Sequence, residues 1–292
     1  MPWYDEFQEF IQLNEPLGRY TWLGLGGPAE VLATPRNEQE LVALVRRCAQ
    51  EQVPVRLLGA GSHVLVRDEG VPGVVVRIVE PHFGQVQCQG RQVRAQTGVM
   101  LAHLISTAVQ HGLAGLETLV GIPGTVGGAL RSNTSAQGNE IGRWVHQVRL
   151  LTAQGESVTR GRHELLFGYR ESNLDELVIL EATFELEAAD PTELTRRMQK
   201  HWIAKRAEQP LGQPCAGYIF KNPRGHEAAS LIEAAGLKGM RIGGAEVSQR
   251  NANFIVAYPE ATARDVLRLI DVVRSRVRES AGVELELDLE VW

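Results

Sequence analysis

Gly121-Ile-Pro-Gly-Thr-Val-Gly-Gly-Ala129, running on to Asn133, is the stretch on which the fold turns. Four glycines, one proline and no charged side chain make a poor helix or strand. Glycine permits positive φ and lets main-chain N–H groups converge on an anion with no Cβ in the way. Pro123 fixes φ, and Thr125 offers a hydroxyl donor. The run reads as a cradle for a phosphate-rich ligand or, taken alone, as a glycine-rich connection between two packed elements.

Working outward towards the N-terminus, residues 101–110 read as a helix with Leu101, Leu104, Ile105 and Ala108 on one face, preceded by strands within 86–96. Further back, residues 53–58 read as a buried strand ending in Gly59-Ala-Gly-Ser62. A strand entering Gly-x-Gly invites a dinucleotide reading, yet Val64 stands where the third glycine belongs and no long helix follows. Residues 64–66 and 73–79 read as strands instead. Residues 29–34 form another, after a turn with Gly24, Gly26 and Gly27. A helix then starts at Asn37, with Glu40 completing a capping box and Leu41, Leu44, Val45 and Cys48 facing inward.

Towards the C-terminus, strands are expected at 146–152 and 177–186, with Phe167-Gly-Tyr-Arg-Glu-Ser172 between them. Asp190 and Pro191 open a helix that carries Leu194, Met198 and Trp202 inward and stops near Pro210. A loop at 214–223 precedes a short helix at 228–235, closed by Gly236. A long helix at 262–280 buries Val266, Leu269, Val273 and Val277. Strict alternation over 283–291 puts Glu284, Glu286, Asp288 and Glu290 on one face of a final strand.

With 292 residues the chain can bury a large core and divide into two or three domains. A net charge of -5, with Lys and Arg spread along the sequence, argues against nucleic acid as a partner. Cys48, Cys88 and Cys215 are too scattered for a disulfide framework, and no His/Cys spacing suggests a metal. The acidic start lacks an apolar leader and no run of about 18 apolar residues occurs, so a cytoplasmic protein that does not enter a membrane is expected.

In order, Gly59-Ala-Gly-Ser62, Arg67-Asp68, Gly121 to Gly128, Asn133, Tyr169-Arg-Glu-Ser172, Arg206 with Gln209-Pro210, Phe220-Lys-Asn-Pro223, Gly236-Leu-Lys-Gly239 and Asn253-Phe254 resemble the motifs of the UDP-N-acetylenolpyruvoylglucosamine reductases. The resemblance runs from about Thr21 to the C-terminus. It implies an α+β architecture: an FAD-binding fold of the vanillyl-alcohol-oxidase type, made of two α+β subdomains, with a separate α+β substrate-binding domain. The expected bounds are 1–80 (joined by a C-terminal strand, 284–292), 81–200 and 201–283. Only residues 173–176 separate the Tyr-Arg-x-Ser motif from the next strand, so the chain resembles the family's shorter form, without a substrate-covering insertion.

The resemblance further implies non-covalent FAD, held by Gly59, Ala60, Gly61, Ser62 and His63 and by Ile122, Pro123, Gly124, Thr125, Gly127, Gly128 and Asn133. NADPH is the implied hydride donor and a UDP-sugar enolpyruvyl ether the implied substrate. Arg170 matches the family's arginine that stabilises charge on the substrate carboxylate. Tyr218 stands where a serine or cysteine proton donor is usual, with Cys215 nearby. The family's strand glutamate falls on Asp288 by ungapped counting from Gly282, or on Glu290 by the local Glu-Val pair. Lys221 and Asn222 are the implied contacts of the nucleotide sugar or of the NADPH phosphates, with Arg206, Gln249 and Arg250 weaker, and Tyr169 is either a substrate contact or a packing residue. His63 replaces the usual asparagine, and Thr134-Ser135 the usual Ala-Gly. An oxidase of the same fold, or a flavin-binding relative that has lost the reaction through the change at Tyr218, stays open from these residues.

Overall fold

A computed structural model describes residues 2–210 and 212–292. The chain runs β1 (Ile11–Pro16), β2 (Pro28–Ala33), α1 (Glu38–Gln50), β3 (Val55–Leu58), β4 (Val64–Leu65), β5 (Val71–Arg77), β6 (Val86–Gln89), β7 (Gln92–Gln96), α2 (Leu101–Gln110) and α3 (Val126–Arg131). After the strands Val145–Leu151 and Val178–Glu185 come α4 (Pro191–Glu208), α5 (Ala228–Ala234) and α6 (Ala263–Ala281). Among the described residues no helix is long and apolar enough to cross a membrane.

The chain divides into two compact units. The first takes in residues 2–13, 31–60 and 72–204, the second 14–30, 61–71 and 205–292. This differs from the bounds expected above, because 14–30 and 61–71 fold with the C-terminal third. The cause is burial: Leu23 and Leu65 belong to the core of the second unit.

Two cores build the first unit. A four-stranded sheet, β1-β2-β5-β3, pairs β3 and β5 in parallel and buries Val74 and Val76 with Leu41, Leu44, Val45 and Cys48 of α1. Asn37 caps α1 by accepting from the Glu40 amide at 2.9 Å. The capping box is only half realised, because the Glu40 carboxylate turns instead to the backbone N–H and guanidinium of Arg36. The second core lies between α2, α3 and a five-stranded antiparallel sheet ordered Ser157–Gly161, Val145–Leu151, Val178–Glu185, β7, β6. Leu194 at the start of α4 is buried in it and Met198 packs against it, but Trp202 is 41% exposed and does not continue that face as expected.

The glycine-rich run also departs from expectation, since it becomes helical at Val126. Each helical glycine costs about 1 kcal/mol relative to alanine. Full burial of Val126 and Leu130 returns roughly 1.5–3 kcal/mol apiece, so packing wins. Gly127 is needed there: a Cβ would lie 2.1 Å from Thr97 Oγ1.

In the second unit α5 and α6 cover an antiparallel sheet ordered Cys215–Ala216, Ile255–Ala257, Ala245–Val247, Arg241–Ile242. Thr262 and Asp265 form a capping box for α6, and Asp68 reinforces it by accepting from the amides of Ala263 (2.9 Å) and Arg264 (3.1 Å). The expected strand over 283–291 is not continuous. Leu287 bridges Phe220 antiparallel, whereas Glu290 and Val291 pair in parallel with β4. The chain changes partner between them, and the single polar face dissolves: Glu284 and Glu286 are 72% and 71% exposed, Asp288 only 6%.

Candidate active site

In the first unit the two glycine segments meet at one point. A Cβ on Gly59, at the end of β3, would stand 2.7 Å from Thr125 Oγ1, so only glycine lets these turns approach so closely. Gly124 has φ 136°, outside the range of L side chains. Thr125 caps α3 through its hydroxyl, which accepts from the Gly128 amide at 3.4 Å. Among the described residues, the backbone N–H groups of Gly124 and Thr125 have no protein acceptor, although Thr125 is 3% exposed. A buried donor at Thr125 and a half-buried one at Gly124, beside a closely packed turn with no acidic side chain in 59–63 or 121–128, fit the diphosphate of a dinucleotide.

Asn133, the last cofactor contact expected in this stretch, has its side-chain amide bonded within the protein. It is 1% exposed with φ 43°. Its Nδ2 donates to Glu140 Oε2 (2.9 Å) and to Gly168 O (2.7 Å), and its Oδ1 accepts from the Gly142 amide (3.1 Å). Those bonds spend the amide on the protein itself. Gly168 opens a short hairpin, Phe167–Gly168 against Glu171–Ser172, whose two-residue turn is Tyr169-Arg170. Ser172 Oγ donates to Arg131 O at 3.0 Å and ties the returning strand to the end of α3. Arg170 is half-buried with φ 60°, its guanidinium 5.9 Å from the centre of the Tyr169 ring, and Tyr169 is 48% exposed.

In the second unit Tyr218 is 36% exposed, with φ 49° and its ring 5.4 Å from that of Phe254. Buried Asn253 clamps the residues after it: its carbonyl accepts from Ile219 N, its Oδ1 from Phe220 N (2.9 Å), and its Nδ2 donates to Phe220 O (2.8 Å). The Asn253-Phe254 motif marked this position, but nothing local announced a partner 33 residues away. Cys215 is 4% exposed and burial pushes its thiol pKa up, which fits packing rather than proton donation.

Ile219 O in turn accepts from the amides of Asp288 (2.8 Å) and Leu289 (3.3 Å), which brings the Asp288 backbone beside the Tyr218 loop. Glu290 is exposed and its carboxylate accepts from Trp292 Nε1 at 2.8 Å. Lys221 Nζ pairs with Glu286 at 2.5 Å, and Asn222 Oδ1 accepts from the Ala228 amide that opens α5. Gln249 lines a cavity of about 440 Å³ with Ser248, Arg250 and Tyr258. Arg206 is exposed on the last turn of α4, and Gly61 turns at φ 65° where a Cβ would meet Tyr20 O at 2.0 Å.

Residues 209–292 match the family model described as UDP-N-acetylenolpyruvoylglucosamine reductase, C-terminal domain, and residues 29–161 match an FAD binding domain model. The UDP-N-acetylenolpyruvoylglucosamine reductase of Moorella thermoacetica is 42% identical over 97% of this chain and 93% of its own length. The chain belongs to that family. The relative from Nitrobacter hamburgensis is 39% identical over 95% of this chain and 91% of its own. The crystal structure of the reductase from Thermus caldophilus superposes with a TM-score of 0.82 at 38% identity, covering 97% of this chain and 98% of that one. Residues 29–161 therefore form the family's FAD-binding domain, and FAD is the cofactor.

Proposed function

We propose that the chain reduces the enolpyruvyl ether of UDP-N-acetylglucosamine to UDP-N-acetylmuramate in the cytoplasm, with NADPH as electron source, as a step of peptidoglycan precursor synthesis. Identity of 42% to a relative named for this reductase, over 97% of the chain, carries the reading. When bound, FAD supplies the hydride relay between NADPH and the double bond. Main-chain donors at Gly124 and Thr125, with the turn at Gly59 and Ala60, hold its diphosphate.

The remaining work falls to side chains. Arg170 grips the substrate carboxylate with a two-pronged guanidinium as negative charge builds there, which a lysine ammonium cannot copy. Tyr218 gives a proton to the adjacent carbon; a phenol is more acidic than the serine hydroxyl usual at this position. Asp288, sheltered next to the Tyr218 loop, is the family's strand carboxylate rather than exposed Glu290. Lys221, Asn222, Gln249, Arg206 and Tyr169 are the side chains that the family resemblance assigns to the nucleotide sugar. By function, residues 1–80, joined by 284–292, and 81–200 supply the two flavin-binding subdomains and 201–283 the substrate domain, a division that cuts across the two packing units.

Anaerobic spectra test this directly. Adding NADPH to the FAD-loaded protein is expected to bleach the flavin band, and the enolpyruvyl substrate to restore it. Bleaching without restoration identifies a relative that has lost the reaction. Reduction by an alcohol with fast reoxidation by oxygen identifies an oxidase.

A further inference from the structure

His63 follows the first glycine segment, a place that implies a cofactor contact, yet its ring is turned to the last strand. Nε2 lies 2.9 Å from the backbone oxygen of Asp288 and 3.5 Å from Asp288 Oδ2. A carbonyl oxygen only accepts, so the ring carries its proton on Nε2 and donates it. The His63 carbonyl meanwhile accepts from the Glu290 amide at 3.2 Å. His63 thus brackets Asp288, by its side chain at the residue itself and by its main chain two residues on.

This bracket sits where the backbone ladder is broken. The amides of Asp288 and Leu289 both point at Ile219 O, and the Asp288 carbonyl takes an imidazole N–H where a continuous strand would give it a backbone one. We propose that His63 is a positioning residue for Asp288: its Nε2–H fixes the bend at which the chain changes partner and thereby sets where the 6%-exposed carboxylate stands. The proposal rests on the reading of Asp288 as the reaction's strand carboxylate. It joins two departures from the family pattern, since a side chain longer than asparagine reaches a carboxylate one methylene shorter than glutamate.

His63→Ala removes the donor, whereas His63→Gln places an amide N–H near the position of Nε2. FAD affinity and flavin reduction by NADPH are expected to stay within about threefold of wild type in both variants, while flavin reoxidation by the enolpyruvyl substrate falls by about 10- to 100-fold in His63→Ala and recovers to within about fivefold in His63→Gln. Loss of FAD affinity together with both half-reactions would make His63 a cofactor ligand and overturn the proposal, as would unchanged reoxidation in His63→Ala. Hydrogen exchange at the amides of Asp288 and Leu289 reads the same positioning without turnover: protection lost in His63→Ala and kept in His63→Gln supports it, and protection kept in both refutes it. Asp288→Asn is measured alongside. If that variant reoxidises like wild type, the role of Asp288 fails, and the exchange data alone still decide the role of His63.

Discussion

Tyr218 and Arg170 share a backbone oddity: both hold φ in the left-handed region, at 49° and 60°. For a side chain with a Cβ this costs about 1–2 kcal/mol, and it persists only where the surroundings fix it. Asn253 fixes the residues following Tyr218, and Asn133 fixes the hairpin carrying Arg170. Tyr218→Phe removes only the hydroxyl and is expected to slow flavin reoxidation by about 10²-fold with flavin reduction unchanged, as stopped-flow traces would show. Cys215→Ala should leave both half-reactions near wild type. Arg170→Lys is expected to slow reoxidation far more than reduction, because its fork acts on charge that develops only in the second half-reaction. Asn133→Ala strands the Gly142 amide and unties Gly168 O from Asn133, and a loss of about 1–3 kcal/mol in denaturant unfolding is expected. The identities of Arg170 and Tyr218 were legible because a motif names residues. The asparagine clamps were not, since a buried amide's partners are set by the fold, and spacing alone could not separate Asp288 from Glu290.

Elements whose burial follows one periodicity were the most legible. α2 spans the residues its apolar face implied, and α6 differs by one at its ends. α3 and the final strand were missed for opposite reasons: tertiary packing overrode weak helix propensity in one, and a change of pairing partner interrupted regular alternation in the other. Between α1 and the strand Val145–Leu151, Arg149 donates to both Glu38 oxygens at 2.6 and 2.7 Å. Those bonds hold the Glu38 carboxyl below its ordinary value of 4.5. A lowered folded-state pKa means the stabilisation is present above that ordinary value and is lost as pH falls through the lowered one. Glu38 is 36% exposed, so solvent screening limits the effect to about 1 kcal/mol. The unfolding free energies of wild type and Glu38→Gln should therefore differ at neutral pH and converge as pH falls below the ordinary carboxylate range.

For the molecule as a whole, the expectation is a yellow protein whose FAD is released intact on denaturation, because neither glycine segment offers a cysteine and His63 is turned to Asp288. Flavin that stays with the denatured polypeptide through gel filtration would contradict this. The division of the chain into interleaved segments reaches further, into the order in which it is made. Residues 14–30 and 61–71 leave the ribosome long before 205–292, yet Leu23 and Leu65 have their core partners in that last stretch. A growing chain must carry these early segments unpacked until 205–292 has also emerged, exposed to chaperones and to mispairing. The second unit is thus completed only once 205–292 is available, and a nascent chain stalled at residue 204 would keep Leu23 and Leu65 open to protease.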